Sequence, residues 1–317
     1  VMASFFGFDT LYIDEEWWDD IKRGIPGTEQ LILVKNPFHV FGDLEKNHAK
    51  LLFNQHNFDA SRILFKDLCS KVKDPREFEV ATLLSEAYEH WDGFNYNAAF
   101  IKLEEAIRKQ KQFQLKIFNP EYLEKNLSAL KILSKITKSQ NIDFLLKDDE
   151  LTITLLIDLY KNALRKREEH RVDDAIVRFY RLFELISQHR LSKHNLTTLS
   201  PDYKKFPELG KAYAKITQEL YQQERKLTFE IGIKEGHIIL FLLKDELWQD
   251  KTVEDLKRFL GPIRLRDNSI IAHGIETISD KSFQKIEALC KEFLIKVCKI
   301  HNKDVEKILQ QHNFIKI

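Results

Sequence analysis

From Gly42 onward the apolar residues recur at helical spacing, and three stretches repeat one order of parts. Each has a helix, a turn with Asn or Asp near its end, an alanine at a tight crossing, and a second apolar helix. Residues 51–60 lead into 61–72, residues 88–98 lead into 99–108, and 159–171 pass through Val172-Asp173-Asp174-Ala175 and continue to Gln188. The step from Ala98 to Ala175 is close to double the step from Ala60 to Ala98. A unit of this size is a helical hairpin, which buries its apolar face by stacking on neighbours. The chain is thereby constrained to a mainly α fold. Ten glycines and seven prolines in 317 residues leave few places to break a helix, which agrees with that reading.

The hairpins resemble tetratricopeptide-type repeats, although an irregular all-α domain with similar turns fits the same pattern. A polar stretch over 135–149 interrupts the periodicity and marks a boundary. Beyond it, helices are expected over 150–170, 173–188, 207–225, 237–248, 252–259, 280–301 and 304–312, with a further helix carrying the motif described below. Asp173 and Asp280 stand where N-caps belong. The first forty residues differ. Residues 8–14 and 29–35 read as two short strands punctuated by Gly24, Pro26, Gly27 and Pro37, after a helix end over 1–6. Two strands do not make an independent sheet domain. They are expected to be the tail of something larger docked on the helical body, with an upstream portion missing.

Charge and cysteine content narrow the function classes. Fifty Lys and Arg against 49 Asp and Glu give a formal charge of +1, so no global basic field attracts nucleic acid, and any RNA contact must come from a local patch. Cys69, Cys290 and Cys298 form neither a CxxC pair nor an even set, and read as reduced thiols of a cytoplasmic protein. Cys290 and Cys298 lie eight apart in an apolar-periodic segment and are expected to be buried. No apolar run approaches the roughly 18 residues of a membrane span, and no secretory signal is visible. The longest apolar run, 237–243, is cut off by Lys244 and Asp245 and reads as a buried helix.

The chemistry concentrates in Arg266-Asp267-Asn268-Ser269-Ile270-Ile271-Ala272-His273-Gly274. On one helix, seven residues bring His273 within roughly 20° of Arg266 and about 10.5 Å further along the same face, and Gly274 is a natural stop. A permanent cation beside a group that carries a proton either way near neutral pH suits phosphodiester cleavage. RNA cleavage without metal needs a base for the ribose 2′-OH, an acid for the leaving 5′-oxygen, and a cation for the transition state. Arg266 supplies the cation and His273 one proton-transfer role. Asn268 and Ser269 are placed to orient His273 or contact the phosphate, and Asp267 to hold Arg266. A structural alternative is a buried histidine with Arg266 paired to a carboxylate. A rival spacing, Arg165-Lys166-Arg167-Glu168-Glu169-His170, lies in alternating charge and reads as a solvated helix surface.

The motif resembles the signature of HEPN ribonucleases, specifically the CARF–HEPN effector nucleases of type III CRISPR systems. Ile25-Pro26-Gly27-Thr28-Glu29 and 36–44 resemble the stretch just after that family's sensor domain. Arg178-Phe179-Tyr180-Arg181-Leu182-Phe183-Glu184, closed by Gln188-His189-Arg190-Leu191, resembles its first HEPN helices. The similarity covers nearly the whole chain. It implies a remnant of a Rossmann-like CARF domain over 1–41, a helical hairpin domain over 42–149, and an HEPN helical domain over 150–317. It implies a homodimer whose motif helices pair across a two-fold axis, a single-stranded RNA substrate, and products ending in 2′,3′-cyclic phosphate and 5′-OH. If the family geometry holds, Tyr180 and Arg181 line the same cleft; the alternative puts Tyr180 in the core. The family activator is a cyclic oligoadenylate, but no Thr/Gly-rich sensor loop occurs here, so no activator-binding residue is assigned.

Other chemistries find less in the residues. Histidines 48, 56, 90, 170, 189, 194, 237, 301 and 312 are scattered, without His-Glu-x-x-His, so no metal ligand and no resident cofactor are expected. Glycine is too sparse for a phosphate-cradling loop, and there is no Gly-x-Ser-x-Gly elbow. Two other readings stay open: a helical-repeat interaction module without catalysis, and a toxin-type HEPN protein.

Overall fold

The computed structural model of the chain describes residues 10–34, 42–136, 142–267 and 279–317, without the side chains of Thr10, Val34, Asp143 and 264–267. The fold is mainly α with a small N-terminal sheet. Two compact units divide it: one takes the chain up to Pro120 together with Ile315–Ile317, the other Glu121–Phe314. Among the described residues, no helix is long and apolar enough to cross a membrane.

In the first unit, β1 (Thr10–Asp14) pairs antiparallel with β4 (Gln30–Val34), Thr10 opposite Val34 and Asp14 opposite Gln30. Between them β2 (Trp17–Trp18) pairs with β3 (Arg23–Gly24). The two expected strands thus find each other; the helix end expected over 1–6 lies outside the described residues. Four helices follow, each packed on the next: α1 (Asp43–Asn54), α2 (Phe58–Lys71), α3 (Arg76–Asp92) and α4 (Tyr96–Gln112). Their core holds Phe53, Phe58, Tyr88 and Trp91, with Phe53 and Phe58 in edge contact at 5.2 Å between centroids. The last residue belongs here too: the Asn54 amide donates to the Ile317 carbonyl at 2.8 Å and accepts from its N–H at 2.9 Å.

One turn builds the hairpins. His56, Phe94 and His170 adopt left-handed conformations with φ of 63°, 61° and 60°. In each case two backbone bonds close the preceding helix: Asn57 N to Leu52 O and His56 N to Phe53 O, Asn95 N to His90 O and Phe94 N to Trp91 O, Arg171 N to Lys166 O and His170 N to Arg167 O. This is the Schellman pattern, and the next helix starts at once. Counting four positions past the caps Asn57, Asn95 and Arg171 gives Ser61, Ala99 and Ala175, all fully buried. The step from Ala99 to Ala175 is twice the step from Ser61 to Ala99. The expected crossing residues Ala60 and Ala98 are therefore corrected by one position: both are only half-buried. Aligning on alanine hides the register because the first hairpin places a serine there, its hydroxyl donating to the Ala49 carbonyl at 2.9 Å.

The second unit contains α5 (Pro120–Leu133, entering from the boundary), α6 (Ile142–Lys147), α7 (Asp149–Glu168), α8 (Val172–Lys193), a short 3₁₀ turn, α9 (Leu209–Tyr221), α10 (Ile233–Leu242), α11 (Val253–Asp267), α12 (Asp280–Ile300) and α13 (Val305–Gln311). The α7–α8 hairpin is central. Helices α10 and α12 pack on α8, and α12 and α13 pack on α7. Phe183 of α8, Phe259 of α11 and Phe293 of α12 meet at 4.9–6.0 Å between centroids. Cys290 and Cys298 are buried, as expected.

Several expected boundaries move for local reasons. Helix α10 begins early, after Gly232, and ends at Leu242 because Lys244 turns left-handed (φ 52°) and Asp245 N bonds back to Leu240 O. The expected break between 252–259 and the motif helix is absent: α11 runs through Pro262. Arg171, not Asp173, occupies the cap of α8, and Ser279, not Asp280, caps α12 by accepting from Ser282 N at 3.3 Å. Both aspartates lie in the first turn instead, where a negative charge still favours the helix N-terminus. The rival stretch is not a solvated surface throughout. Arg165 is 5% exposed with its guanidinium 3.9 Å from the Phe314 ring centroid, and buried Lys166 pairs with Glu169 at 2.8 Å.

Candidate active site

Helix α11 buries Leu256, Phe259, Leu260 and Ile263, the i, i+3, i+4, i+7 pattern of a helix with one face on a core. Its described backbone reaches Arg266 and Asp267, whose side chains are not described; Asn268, Ser269 and His273 lie outside the described residues. The structure does fix what stands on either side of them. Upstream, the Tyr180 hydroxyl on α8 donates to the Pro262 carbonyl at 2.7 Å. In α-helical register that carbonyl is also the acceptor for the amide of residue 266. The clamp therefore acts on the turn that carries Arg266. Downstream, Arg167 at the end of α7 donates to Asp280 at 2.5 Å and covers the Phe283 ring at 5.3 Å. Residues 268–278 thus connect two helices that are both tied to the α7–α8 hairpin.

Of the expected cleft residues, Tyr180 is 2% exposed and directed to α11, while Arg181 is half-exposed and donates along its own helix to Glu184 at 2.7 Å and Gln188 at 3.2 Å. Nearby, Arg178 donates to Asn162 and to the Asp174 carbonyl, fastening α8 to α7.

Two buried polar arrangements support this scaffold. His237 is fully buried; its Nε2 donates to the Phe183 carbonyl at 3.1 Å, and its Nδ1 accepts from Trp248 Nε1 at 3.3 Å. Burial pushes its pKa down to about 3, so it is neutral. Asp245, visible in the sequence only as the charge that ends an apolar run, receives Arg190 through Nε at 3.0 Å and a terminal nitrogen at 2.9 Å, with His194 at 2.8 Å. Burial alone would raise the Asp245 pKa; the Arg190 hydrogen bonds outweigh it and hold the carboxylate below its usual range. Separately, Asp149, His189 and His301 bring potential metal-ligand atoms within 4.8 Å of one another, although they are far apart in sequence.

Two family models match the chain: the Csm6 6H domain over 41–137 and the Csm6 HEPN domain over 146–296. The second takes in α7 to most of α12, and with them the whole Arg266–His273 segment. Over these two stretches, which together take in most of its residues, the chain is similar to the Csm6-type HEPN effectors. It is 25% identical over 293 residues to the CRISPR system endoribonuclease Csm6 of Thermus thermophilus, an alignment covering 90% of this chain and 61% of that protein. The chain thus matches less than two thirds of the length of that curated relative. The two Csm6 models leave 138–145 between them, inside the polar stretch, whereas the compact units divide at Pro120.

Proposed function

We propose that this chain is an HEPN-type endoribonuclease of CRISPR-linked antiviral defence, cutting single-stranded RNA without a metal. The observation that supports it most is the placement of the Arg266 turn. An HEPN-matched unit holds that turn through Tyr180 and Pro262, on the same segment that carries His273. Arg266 offers a planar fork to the phosphate oxygens and stabilises the charge that develops on them. His273 moves a proton, either from the 2′-OH as it attacks or to the 5′-oxygen as it leaves. One chain has one such histidine, so the active form is a homodimer in which a second copy supplies the other role. Asp267, Asn268 and Ser269 position these two groups. Arg181, half-exposed on α8, turns from Glu184 and Gln188 to the RNA backbone in this reading.

The attack of the 2′-oxygen on its own phosphate breaks the bond to the 5′-oxygen and leaves a 2′,3′-cyclic phosphate and a 5′-OH. The test is an RNA carrying a single 2′-deoxy sugar at the cut position, digested in EDTA. Cleavage should vanish at that position alone and persist elsewhere. Cutting through the deoxy position would refute the 2′-OH route, and complete inactivity of the whole chain on every RNA would return it to the interaction-module reading. Adding cyclic oligoadenylate to the same assay measures whether an activator acts on this chain.

A further inference from the structure

Three helix ends meet within the second unit. Asp149 opens α7, His189 lies in the last turns of α8, and His301 caps the C-terminus of α12. The Asp149 carboxylate is 2.8 Å from His189 Nε2 and 3.5 Å from His301 Nδ1, and the two rings lie 5.2 Å apart. The His189 side chain is fully buried, that of His301 is 14% exposed and that of Asp149 is 42% exposed, so the group is closed from within and open on one side. Among the described residues, His189 Nδ1 and His301 Nε2 are buried without a hydrogen-bond partner. They are the ring nitrogens opposite those that face Asp149, so an ion held by the Asp149-facing nitrogens leaves them as they are.

We propose that Asp149, His189 and His301 form a binding site for a divalent transition-metal ion of the zinc class, which staples the ends of α7, α8 and α12 together. Two imidazoles and a carboxylate are a donor set such ions take, at about 2.0–2.2 Å, which puts ligand atoms about 3.3 Å apart around a tetrahedron. The gaps of 2.8 and 3.5 Å run to different oxygens of the Asp149 carboxylate, and the three ligand atoms lie within 4.8 Å of one another, so the side chains draw together to reach that spacing around an ion. The fourth position falls on the open side and is left to water.

Lys193 is the built-in competitor. Its Nζ sits 2.5 Å from Asp149 Oδ1, so an arriving dication displaces an ammonium whose side chain is one-third exposed and able to swing into solvent. The other nearby cation, Arg190, is already engaged by Asp245 and Glu246. The ligands come from three helix ends far apart in the chain, so no short motif could announce them. The site is structural and takes no part in the RNA chemistry.

The test uses the whole chain, stripped with a chelator, and titrated with Zn²⁺ by calorimetry and with Co²⁺ by visible absorption. One ion should bind per chain, with the absorption of four-coordinate Co²⁺ and a rise in melting temperature of roughly 5 °C at saturating Zn²⁺. Asp149→Asn and His301→Asn, both at partly accessible side chains, should fold without metal yet bind at least about tenfold more weakly. Lys193→Met should bind more tightly than the unaltered chain. No saturable binding by the whole chain, or undiminished binding by both Asn variants, overturns the site.

Discussion

At Tyr180 a single hydroxyl links the helix that the family resemblance picks out to the helix whose last described residues are Arg266 and Asp267. Tyr180→Phe removes this bond while keeping the ring in the core. The Pro262 carbonyl retains its helical partner, so the stability loss should be small, about 0.5–1.5 kcal/mol by denaturant unfolding. Cleavage should fall more than stability does, because the Arg266 turn loses its fixed height on α8; equal activity in Tyr180→Phe would show that the clamp is dispensable. Buried histidines give a second residue-scale prediction. His237 is lowered to about 3 by complete burial, and His312 to about 4 by complete burial and then by the neighbouring Arg165. The unfolded chain takes up a proton on each near pH ~6.5, so protons favour unfolding below that pH. Their contribution is complete above about pH 6.5 and is lost as pH falls toward the folded values, by up to about 1.4 kcal/mol per pH unit for each histidine. Melting temperature should therefore drop between pH 7 and pH 5; a flat profile would contradict the neutral assignment. Neither role is legible in the sequence, where His237 is one member of an apolar run and His312 one of many scattered histidines.

The helical hairpin is where the sequence speaks most clearly, because period and turn both leave marks on residue type. Helix-period apolar faces and the order helix, turn, helix are legible at all three places. The register is not, since Ser61 stands where Ala99 and Ala175 stand, and residue identity is a poorer guide to alignment than position after the cap. The turns are unusual in using His56, Phe94 and His170 instead of glycine in the left-handed region. That conformation costs about 1–2 kcal/mol for a residue with a Cβ. His170 is exposed, so His170→Gly should stabilise the chain by about 0.5–1 kcal/mol after the added freedom of the unfolded state is counted, and His170→Val should destabilise it. Urea unfolding decides the order; a less stable glycine variant would contradict the turn assignment. Helix α11 reads as two pieces in the sequence because Gly261-Pro262 is a strong local breaker. The contacts that keep it whole, Phe259 in the aromatic core and Tyr180 on the Pro262 carbonyl, come from elements distant in the chain.

At the scale of the molecule, long-range pairs are what sequence could not display. Arg190 with Asp245, Arg167 with Asp280, and Asp149 with His189 and His301 each join groups on different helices, well beyond the reach of any local pattern. The Arg266–His273 spacing stands out in the sequence for the opposite reason: it is local, and its residue types suit phosphodiester cleavage. The proposed dimer belongs to this scale as well. Light scattering should give twice the 37.6 kDa mass of one chain, at the concentrations where RNA is cut. Cleavage by a purely monomeric solution would mean that one histidine suffices. The central claim, that Arg266 and His273 together cut RNA without metal, is tested most directly by single-turnover cleavage of a 5′-labelled RNA in EDTA, with circular dichroism on each sample to show that the fold persists. The account predicts that the unaltered chain cuts and that Arg266→Ala and His273→Ala, still folded, lose at least about a hundredfold in rate. A folded His273→Ala that cuts as fast as the unaltered chain would contradict it.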